Sequence, residues 1–203
     1  MRKLLQLLFV ILFVNQVASA QDYINRDYKK FGVLLGGNVT NMDFNKGYPT
    51  PTTAVKTSWL PGITIGLQMR VPLSEKFWIQ PQYQFTQMGS KVESSGTKYK
   101  LNYFTLPILA KYEVLPKLTL EAGPQFDLLI HANSVTNGTS TNVTHGLQEP
   151  NYAATAGAGY QVLDNLNLDI RYMQSLNHVG FGQLANSAEF KFEMVQLAIS
   201  TNF

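Results

Sequence analysis

Apolar residues alternate with polar or small residues along eight stretches of this chain. The pattern is clearest in residues 61–73, PGITIGLQMRVPL, where four large apolar side chains share one parity: Ile63, Ile65, Leu67 and Met69. A period of two predicts a β-strand with two unlike faces. Similar stripes begin at Phe31, Ile79, Phe104, Leu118, Tyr152, Leu166 and Val195. No helical period of comparable length competes with them, so the sequence predicts an all-β fold of eight strands.

The connections between these stretches alternate in length. Short turns are expected at 73–76, 115–117 and 163–165, and long polar links at 43–59, 89–98, 131–151 and 177–189. Short turns at one rim and long loops at the other are typical of an outer-membrane barrel. The sequence therefore predicts an eight-stranded antiparallel transmembrane up-and-down β-barrel with four external loops.

The N-terminus has the order of a secretory signal. Arg2 and Lys3 precede an apolar run, and Ala18-Ser19-Ala20 provides small residues at its end. We expect residues 1–20 to be a signal peptide that is cleaved after export, and residues 21–203 to form the barrel domain. Without Arg2 and Lys3 the 16 basic residues fall to 14, against 13 acidic ones, so no basic footprint for nucleic acid remains.

Composition agrees with a surface that is not entirely in water. Charged residues make up 14% of the chain and aromatic residues 12%, whereas soluble domains average about 25% charged residues. The chain has no cysteine, which excludes disulfides, thiol catalysis and cysteine metal ligands. No cofactor is expected.

The two parities of the stripes predict which side chains face lipid and which face the lumen. The lipid-facing set is predicted to include Ile63, Ile65, Leu67, Met69, Leu106, Ile108, Leu168, Ile170, Leu197 and Ile199. The charged residues within the strands fall on the other parity: Arg70, Lys111, Glu121, Asp127, Asp169 and Arg171. Antiparallel pairing about the 115–117 turn would bring Lys111 near Glu121. Buried charges must pair, so we expect these six to form a network that seals a polar lumen.

Three local features depart from a regular strand pattern. Pro81, Pro107 and Pro124 lie inside predicted strands, where each removes a ladder donor, so we expect β-bulges there. Phe190 and Phe192 are out of phase with the stripe that starts at Val195, which calls for a bulge or a strand that starts after Glu189. Trp59 and Trp78 are expected to mark opposite membrane interfaces.

Several of the striped segments resemble a known family. The segments are YFTLPILAKY at 103–112, LEAGPQF at 120–126, GAGY at 157–160 and LDIRY at 168–172. Together they are similar to the PorT-like outer-membrane β-barrel proteins of Gram-negative bacteria, which have proline at similar points. The resemblance implies location in the outer membrane, with its lipid and other surface or envelope proteins as partners. Phe203, at the end of an alternating strand, resembles the terminal signal that the barrel assembly machinery reads.

The activity that fits these observations is a structural, adhesive or accessory role without catalysis. One alternative is a membrane-embedded hydrolase or acyltransferase that uses loop histidines. Its candidate groups would be His131, His145 and His178, with Ser134, Ser140, Ser175 and Glu149 near them in sequence. No two histidines have a spacing that would place two metal ligands on one face. The other alternative is a soluble lipocalin-like carrier with the stripes inverted. The uncharged tract 133–144, NSVTNGTSTNVT, is expected to be a mobile external loop.

Overall fold

The computed structural model describes residues 31–46, 53–147, 150–180 and 189–203. Almost all of these residues lie in antiparallel strands. The strands within these ranges are β1 (Phe31–Asp43), β2 (Thr57–Met69), β3 (Val71–Pro72), β4 (Phe77–Val92), β5 (Lys98–Leu115), β6 (Leu118–Thr136), β7 (Thr139–Asn142), β8 (Asn151–Leu163), β9 (Leu166–Ser175) and β10 (Lys191–Asn202). Two short 3₁₀ helices, Phe44–Lys46 and Thr144–Gly146, lie in the connections. The predicted signal peptide, residues 1–20, lies outside the described residues.

Eight of the strands form a closed barrel. Each pairs antiparallel with its neighbours along the chain, and pairing of β1 with β10, from Gly32↔Asn202 to Asp43↔Lys191, closes the ring. The short β3 continues the line of β2 along β4, and β7 pairs with β6. The predicted eight-stranded antiparallel barrel is therefore confirmed. The short turns also lie where the sequence placed them, between β3 and β4, β5 and β6, and β8 and β9.

The barrel wall is not of even height. Strands β4, β5 and β6 have 16, 18 and 19 residues, whereas β8, β9 and β10 have 13, 10 and 12. The tall wall ends in a hairpin in which β6 pairs with β7 from Asn133↔Asn142 to Thr136↔Thr139. The expectation that 133–144 has no regular structure is wrong, because most of this tract is strand.

The prolines do not produce the expected bulges. The β4–β5 register is the same before and after Pro107, and the β5–β6 register is the same on both sides of Pro124. Pro81 likewise leaves the register of the β2–β3 line against β4 unchanged. Each proline removes a donor from the ladder, but the flanking pairs hold the strands in phase without an extra residue. Register shifts occur elsewhere, including between Trp59 and Thr64 in β2.

The interior has two layers of different chemistry. Polar and charged side chains fill the end near the short turns. Apolar side chains fill the end near the long loops, and these form the apolar plug: Met42, Phe44, Met88, Leu101, Tyr103, Ala132, Leu147, Ala153, Met173, Val179, Phe190, Phe192 and Met194. The predicted polar lumen is therefore correct only for the short-turn half.

Phe190 and Phe192 are out of phase with the outward-facing stripe that starts at Val195 because both rings belong to the apolar plug. Strand β10 begins at Lys191, after Glu189, and pairs without a shift in register. Phe192 shares its parity with the inward-facing Met194 and Gln196, and both phenylalanines are fully buried. The strand has no bulge, because these rings point into the lumen rather than outwards.

Candidate functional site

Four buried charged side chains form an ionic layer in the short-turn half of the lumen: Lys111, Glu121, Asp169 and Arg171. Lys111 Nζ lies 2.6 Å from Glu121 Oε2 and 3.0 Å from Asp169 Oδ1. Arg171 Nε lies 2.5 Å from Glu121 Oε1, and Arg171 Nη2 lies 3.7 Å from Asp169 Oδ2. Two cations and two anions balance, as burial requires, because each of these charges alone would carry a desolvation cost of several kcal/mol.

The sheet register places these four groups. Lys111 and Glu121 are direct cross-strand partners in β5 and β6. Glu121 and Arg171 lie on strands that do not touch, because β8 runs between them, and both pair with the same residue, Gly157. A Cβ at Gly157 would lie 2.3 Å from Ile170 O and 3.0 Å from Arg171 Cγ. The missing side chain therefore leaves the space in which the arginine reaches the glutamate.

Glutamine side chains extend the ionic layer across the lumen. Arg171 Nη1 donates to Gln82 Oε1 at 2.9 Å and to Gln196 Oε1 at 3.3 Å. Gln82 Nε2 donates to Gln68 Oε1 at 3.3 Å, which carries the network to β2, and Gln80 Nε2 donates to the same oxygen at 2.9 Å. The predicted network of lumen charges did not include these glutamines. For β4 the available signal was the repetition of Gln80, Gln82 and Gln84 on the lumen parity of residues 80–84, QPQYQ.

Asp127 lies apart from the ionic layer. Its carboxylate accepts hydrogen bonds from Gln125 Nε2 at 3.0 Å and Asn151 Nδ2 at 2.6 Å. Ser175 Oγ donates to Asn151 Oδ1 at 2.6 Å and accepts from the backbone N–H of Phe192. Asp127 therefore belongs to a chain of amides and hydroxyls that joins β6, β8, β9 and β10. The prediction that Asp127 joins the network of the other lumen charges is therefore wrong. Alternation along a strand shows which face a side chain lies on, but not how far along the barrel axis it lies.

Arg70 and Trp78 close the lumen near the short turns. The Arg70 guanidinium carbon lies 3.9 Å from the centroid of the Trp78 ring, a cation–π geometry. Trp78 is 7% exposed, and its indole N–H donates to Gln80 Oε1. The expectation that Trp78 marks a membrane interface is wrong, because its parity directs it inwards. A polar pocket of about 50 Å³ beside these residues has room for one or two waters.

The apolar plug closes the other end. The Phe190 ring centroid lies 5.3 Å from that of Phe44 and 5.0 Å from that of Phe192, and Tyr103 meets Phe192 edge to face at 5.8 Å. Val179 and Phe190, on the two arms of the β9–β10 connection, exchange backbone hydrogen bonds of 2.9 and 2.8 Å. Long-loop segments thus bend into the barrel mouth and fill it with side chains.

The helical turn that carries Phe44 is held to the rim by ion pairs. Lys46 Nζ contacts the Glu193 carboxylate and lies 3.4 Å from Asp43 Oδ2. The hydrogen bond to Glu193 raises the pKa of Lys46. These contacts join the end of β1 to the start of β10 above the plug.

The outer surface of the barrel carries the opposite parity. All ten residues predicted to face lipid lie on this surface, from Met69 at 37% exposed to Leu67 at 60%, with Leu106 partly covered by its neighbours. Phe31, Tyr112, Tyr160 and Phe203 are exposed near the short-turn rim, and Trp59, Tyr152 and Tyr172 towards the other rim. This arrangement fits an apolar band between two aromatic girdles. No helix in the described ranges is long and apolar enough to cross a membrane.

The three histidines occupy separate positions near the long loops. His131 lies in β6, and its Nδ1 is 3.3 Å from Thr144 Oγ1. His145 lies in the second 3₁₀ helix, and His178 Nδ1 lies 3.8 Å from Glu189 Oε2. Glu149 lies outside the described residues. Within the described part of the chain, no group of three His, Cys, Asp or Glu side chains could hold a metal ion.

Several solved β-barrel structures are similar to this chain in fold. Neisserial surface protein A is 13% identical, with 85% of this chain and 97% of that chain covered and a TM-score of 0.53. Ail, the attachment invasion locus protein of Yersinia pestis, is 11% identical, with 86% and 98% covered and a TM-score of 0.48. OprG from Pseudomonas aeruginosa is 13% identical, with 86% and 96% covered and a TM-score of 0.46. At these identities only the fold is comparable, and the Neisserial protein carries that comparison.

A match of the sequence to a family model shows which family this chain belongs to. The sequence matches no curated protein. A family model for the outer membrane protein beta-barrel domain matches residues 19–180, which is most of the chain. This match favours the membrane barrel over a soluble carrier, in agreement with the apolar outer surface. The chain therefore belongs to the outer-membrane β-barrel protein family and is an integral protein of the Gram-negative outer membrane.

Proposed function

We propose that this protein has a structural, adhesive or accessory role in the outer membrane and does not conduct solutes through its lumen. The observation that carries the proposal is the filled interior. The ionic layer occupies one half with buried, paired charges, and the apolar plug occupies the other half with buried rings. A barrel of eight strands leaves only enough interior for side chains to fill.

Conductance in a planar lipid bilayer tests this role. The purified protein is expected to insert without discrete current steps. A matched variant with smaller lumen groups, Arg171→Ala with Glu121→Ala, shows whether loss of the ionic layer opens a path. Stable current steps from the unmodified protein would mean that the lumen opens, and the proposal would be withdrawn.

We infer that the protein is not an enzyme. Ser175, a candidate nucleophile, already donates to Asn151 and accepts from the Phe192 backbone N–H. His131 Nδ1 lies 3.3 Å from Thr144 Oγ1, but that hydroxyl already accepts from the backbone N–H of Ala132 and donates to Ala132 O. His178 lies beside the Glu189 carboxylate and not beside a hydroxyl. A nucleophile needs its base within hydrogen-bond reach. Purified protein should therefore turn over phospholipid and peptide esters at the background rate. Turnover that His131→Ala, His145→Ala or His178→Ala abolishes would contradict this inference.

We further propose that residues 1–20 are removed after export and that residues 21–203 form the mature barrel. The charged, apolar and small-residue order of the first twenty residues supports this cleavage. Intact mass of the protein isolated from outer membranes is expected to correspond to a chain that starts at Gln21. A mass that includes residues 1–20 would refute the cleavage.

Assembly through the C-terminal strand is proposed on the position of Phe203. Phe203 is 68% exposed, and its backbone N–H donates to Phe31 O at 2.8 Å, beside the closing β1–β10 pair. Phe203→Ala should slow assembly of the barrel in cells, as judged by heat-modifiable gel mobility. Phe31→Ala removes a similarly exposed ring from the first strand and provides the control. Equal assembly rates for the two variants would argue against a terminal signal.

Membership of the PorT-like subgroup is proposed from the YFTLPILAKY and LEAGPQF segments. In the structure these segments form the middle of β5 and the start of β6, with Pro107 and Pro124 in neighbouring strands. The subgroup implies other envelope proteins as partners. Crosslinking in intact cells followed by capture of this protein is expected to recover envelope proteins repeatedly. Recovery of lipid alone would leave the accessory role without support.

A further inference from the structure

The β6–β7 hairpin stands beyond the barrel. Strand β6 forms its last pair with β8 at Asp127↔Asn151 and then continues for nine residues to Thr136. At about 3.3 Å per residue, that extension reaches roughly 30 Å along the strand. Asn137 and Gly138, with φ of 50° and 82°, form the turn, and positive φ at both positions is typical of the tight type I′ hairpin turn. The hairpin is therefore a regular extension of the barrel strands.

Strand β7 is an open edge of this extension. Its four residues are all exposed, and among the described strands it pairs with β6. The backbone N–H of Val143 donates to Ala132 O at 2.9 Å, which fixes the phase of the ladder. Since antiparallel pairs alternate, Thr139 and Thr141 exchange hydrogen bonds with β6. The N–H and C=O groups of Ser140 and Asn142 therefore point away from β6.

The side chains of this edge do not protect it. Native edge strands are commonly protected by charged residues or proline, but residues 132–147 contain no Asp, Glu, Lys, Arg or Pro. By contrast, the neighbouring β4–β5 hairpin carries Lys91, Glu93 and Lys98 at its tip. An uncharged edge can meet an identical edge without like-charge repulsion. The composition therefore favours a second copy of the same strand as the occupant.

We propose that β7 pairs antiparallel with β7 of a second copy of this protein held in a facing membrane. Thr141 of each copy would lie on the two-fold axis, and Ser140 of each would pair with Asn142 of the other, which gives four main-chain hydrogen bonds. This pairing rests on the proposed adhesive role in the outer membrane and gives it a mechanism.

The orientation of the hairpin selects facing membranes. Two copies in one membrane are related by a rotation about the membrane normal, so their β7 strands run in the same direction along that normal. Antiparallel pairing needs opposite directions, and copies in one membrane therefore cannot form it. The β6–β7 hairpin continues barrel strands that cross the membrane at a tilt of about 35–45°. The two-fold axis must therefore lie near the membrane plane, between two surfaces. Many weak contacts of this kind would act together by avidity.

Crosslinking between two vesicle populations tests the pairing. One population carries affinity-tagged protein and the other untagged protein, with the long loops facing outwards in both. Thr141→Cys adds the only cysteine of the mature chain at the axis, where cross-strand geometry permits a disulfide. Mild oxidation should therefore yield tagged–untagged dimers. Thr139→Cys is the control, because its two copies would lie about 14 Å apart, four residues out of register.

A second variant tests the edge without a new cysteine. Ser140→Pro removes an outward N–H that the β6–β7 ladder does not use, a position where edge strands tolerate proline. Vesicle aggregation should be at least about tenfold slower, since each pair loses two of its four hydrogen bonds. Heat-modifiable mobility checks membrane insertion independently, so a failed barrel is distinguished from a failed contact. Equal crosslinking at positions 141 and 139, crosslinks confined to one vesicle, or unchanged aggregation of Ser140→Pro would overturn the proposal.

Discussion

Arg171 and Glu121 meet over a glycine. Their side chains come from β9 and β6, and the Nε–Oε1 distance is 2.5 Å, although β8 separates the two strands. Both residues pair with Gly157, whose missing side chain leaves the path between them open. A buried ion pair across an intervening strand thus depends on the register of three strands at once.

Loss of the arginine should be costly. Arg171→Met leaves Glu121 and Asp169 with Lys111 as the one remaining cation of the ionic layer. Removal of one partner from a buried ion pair destabilises a protein by about 3–5 kcal/mol. Urea titration of the refolded barrel in lipid vesicles measures the change. The double variant Arg171→Met with Glu121→Gln should cost less than the two single changes added together. A loss of unfolding free energy below about 1 kcal/mol for Arg171→Met would show that the ionic layer is exposed to water.

A methyl group at Gly157 should be poorly tolerated. Its Cβ would lie 2.3 Å from Ile170 O and 3.0 Å from Arg171 Cγ, so backbone or arginine must shift. Overpacking of this kind costs about 1–3 kcal/mol. Gly37→Ala is the matched control, because a Cβ there has no atom of the described chain within 4 Å. Both variants can be compared in the same urea titration. Similar losses at the two positions would contradict the assigned role of Gly157.

The two tryptophans should report different environments. Trp59 is 44% exposed on the outer surface, whereas Trp78 is 7% exposed and faces Arg70 in the lumen. Lipids with brominated acyl chains should therefore quench the fluorescence of Trp78→Phe, which retains Trp59, more strongly than that of Trp59→Phe. Stronger quenching of the variant that retains Trp78 would place its ring in lipid and contradict the lumen assignment.

Sequence alternation predicts the faces of these strands well and their heights poorly. Parity, with one short turn, was enough to bring Lys111 opposite Glu121. It also carried Asp127 into the same group, although the register places Asp127 beside Asn151, nearer the long loops. Height depends on the stagger of neighbouring strands, which alternation within one strand does not contain.

Inward-facing rings were the other feature that sequence patterns missed. An aromatic residue near a strand end fits a membrane girdle as well as a lumen cap, so Trp78 was assigned to the interface. Phe190 and Phe192 were interpreted as out of phase with the stripe that starts at Val195, because the lumen was expected to be polar throughout. The hairpin was detectable, since Asn137-Gly138 between β-branched residues is a strong turn signal. The uncharged polar composition of residues 133–144 favoured a loop over a hairpin in the prediction.

The depth of a charge on the outer surface should decide its cost. Ile65→Arg places a cation near the middle of β2, where the midplane penalty in membrane barrels is about 2–4 kcal/mol. Leu115→Arg makes the same kind of change at the end of β5, beside a short turn, where the penalty falls to about 0–1 kcal/mol. Folding free energies in lipid vesicles should differ in that order. Equal costs would mean that the outer surface has no apolar band.

The most direct measurement of the central claim is a single-cysteine scan of β2, which is clean because the chain has no cysteine. Spin labels at positions 63, 65 and 67, on the outer surface, should be accessible to oxygen dissolved in lipid and protected from a water-soluble nickel complex. Labels at positions 64 and 68, in the lumen, should be shielded from both reagents. A period of two in oxygen accessibility along 63–68 is the result we predict. Oxygen access at 64 and 68 but not at 63, 65 and 67, or no alternation, would contradict the lipid-facing assignment of this barrel.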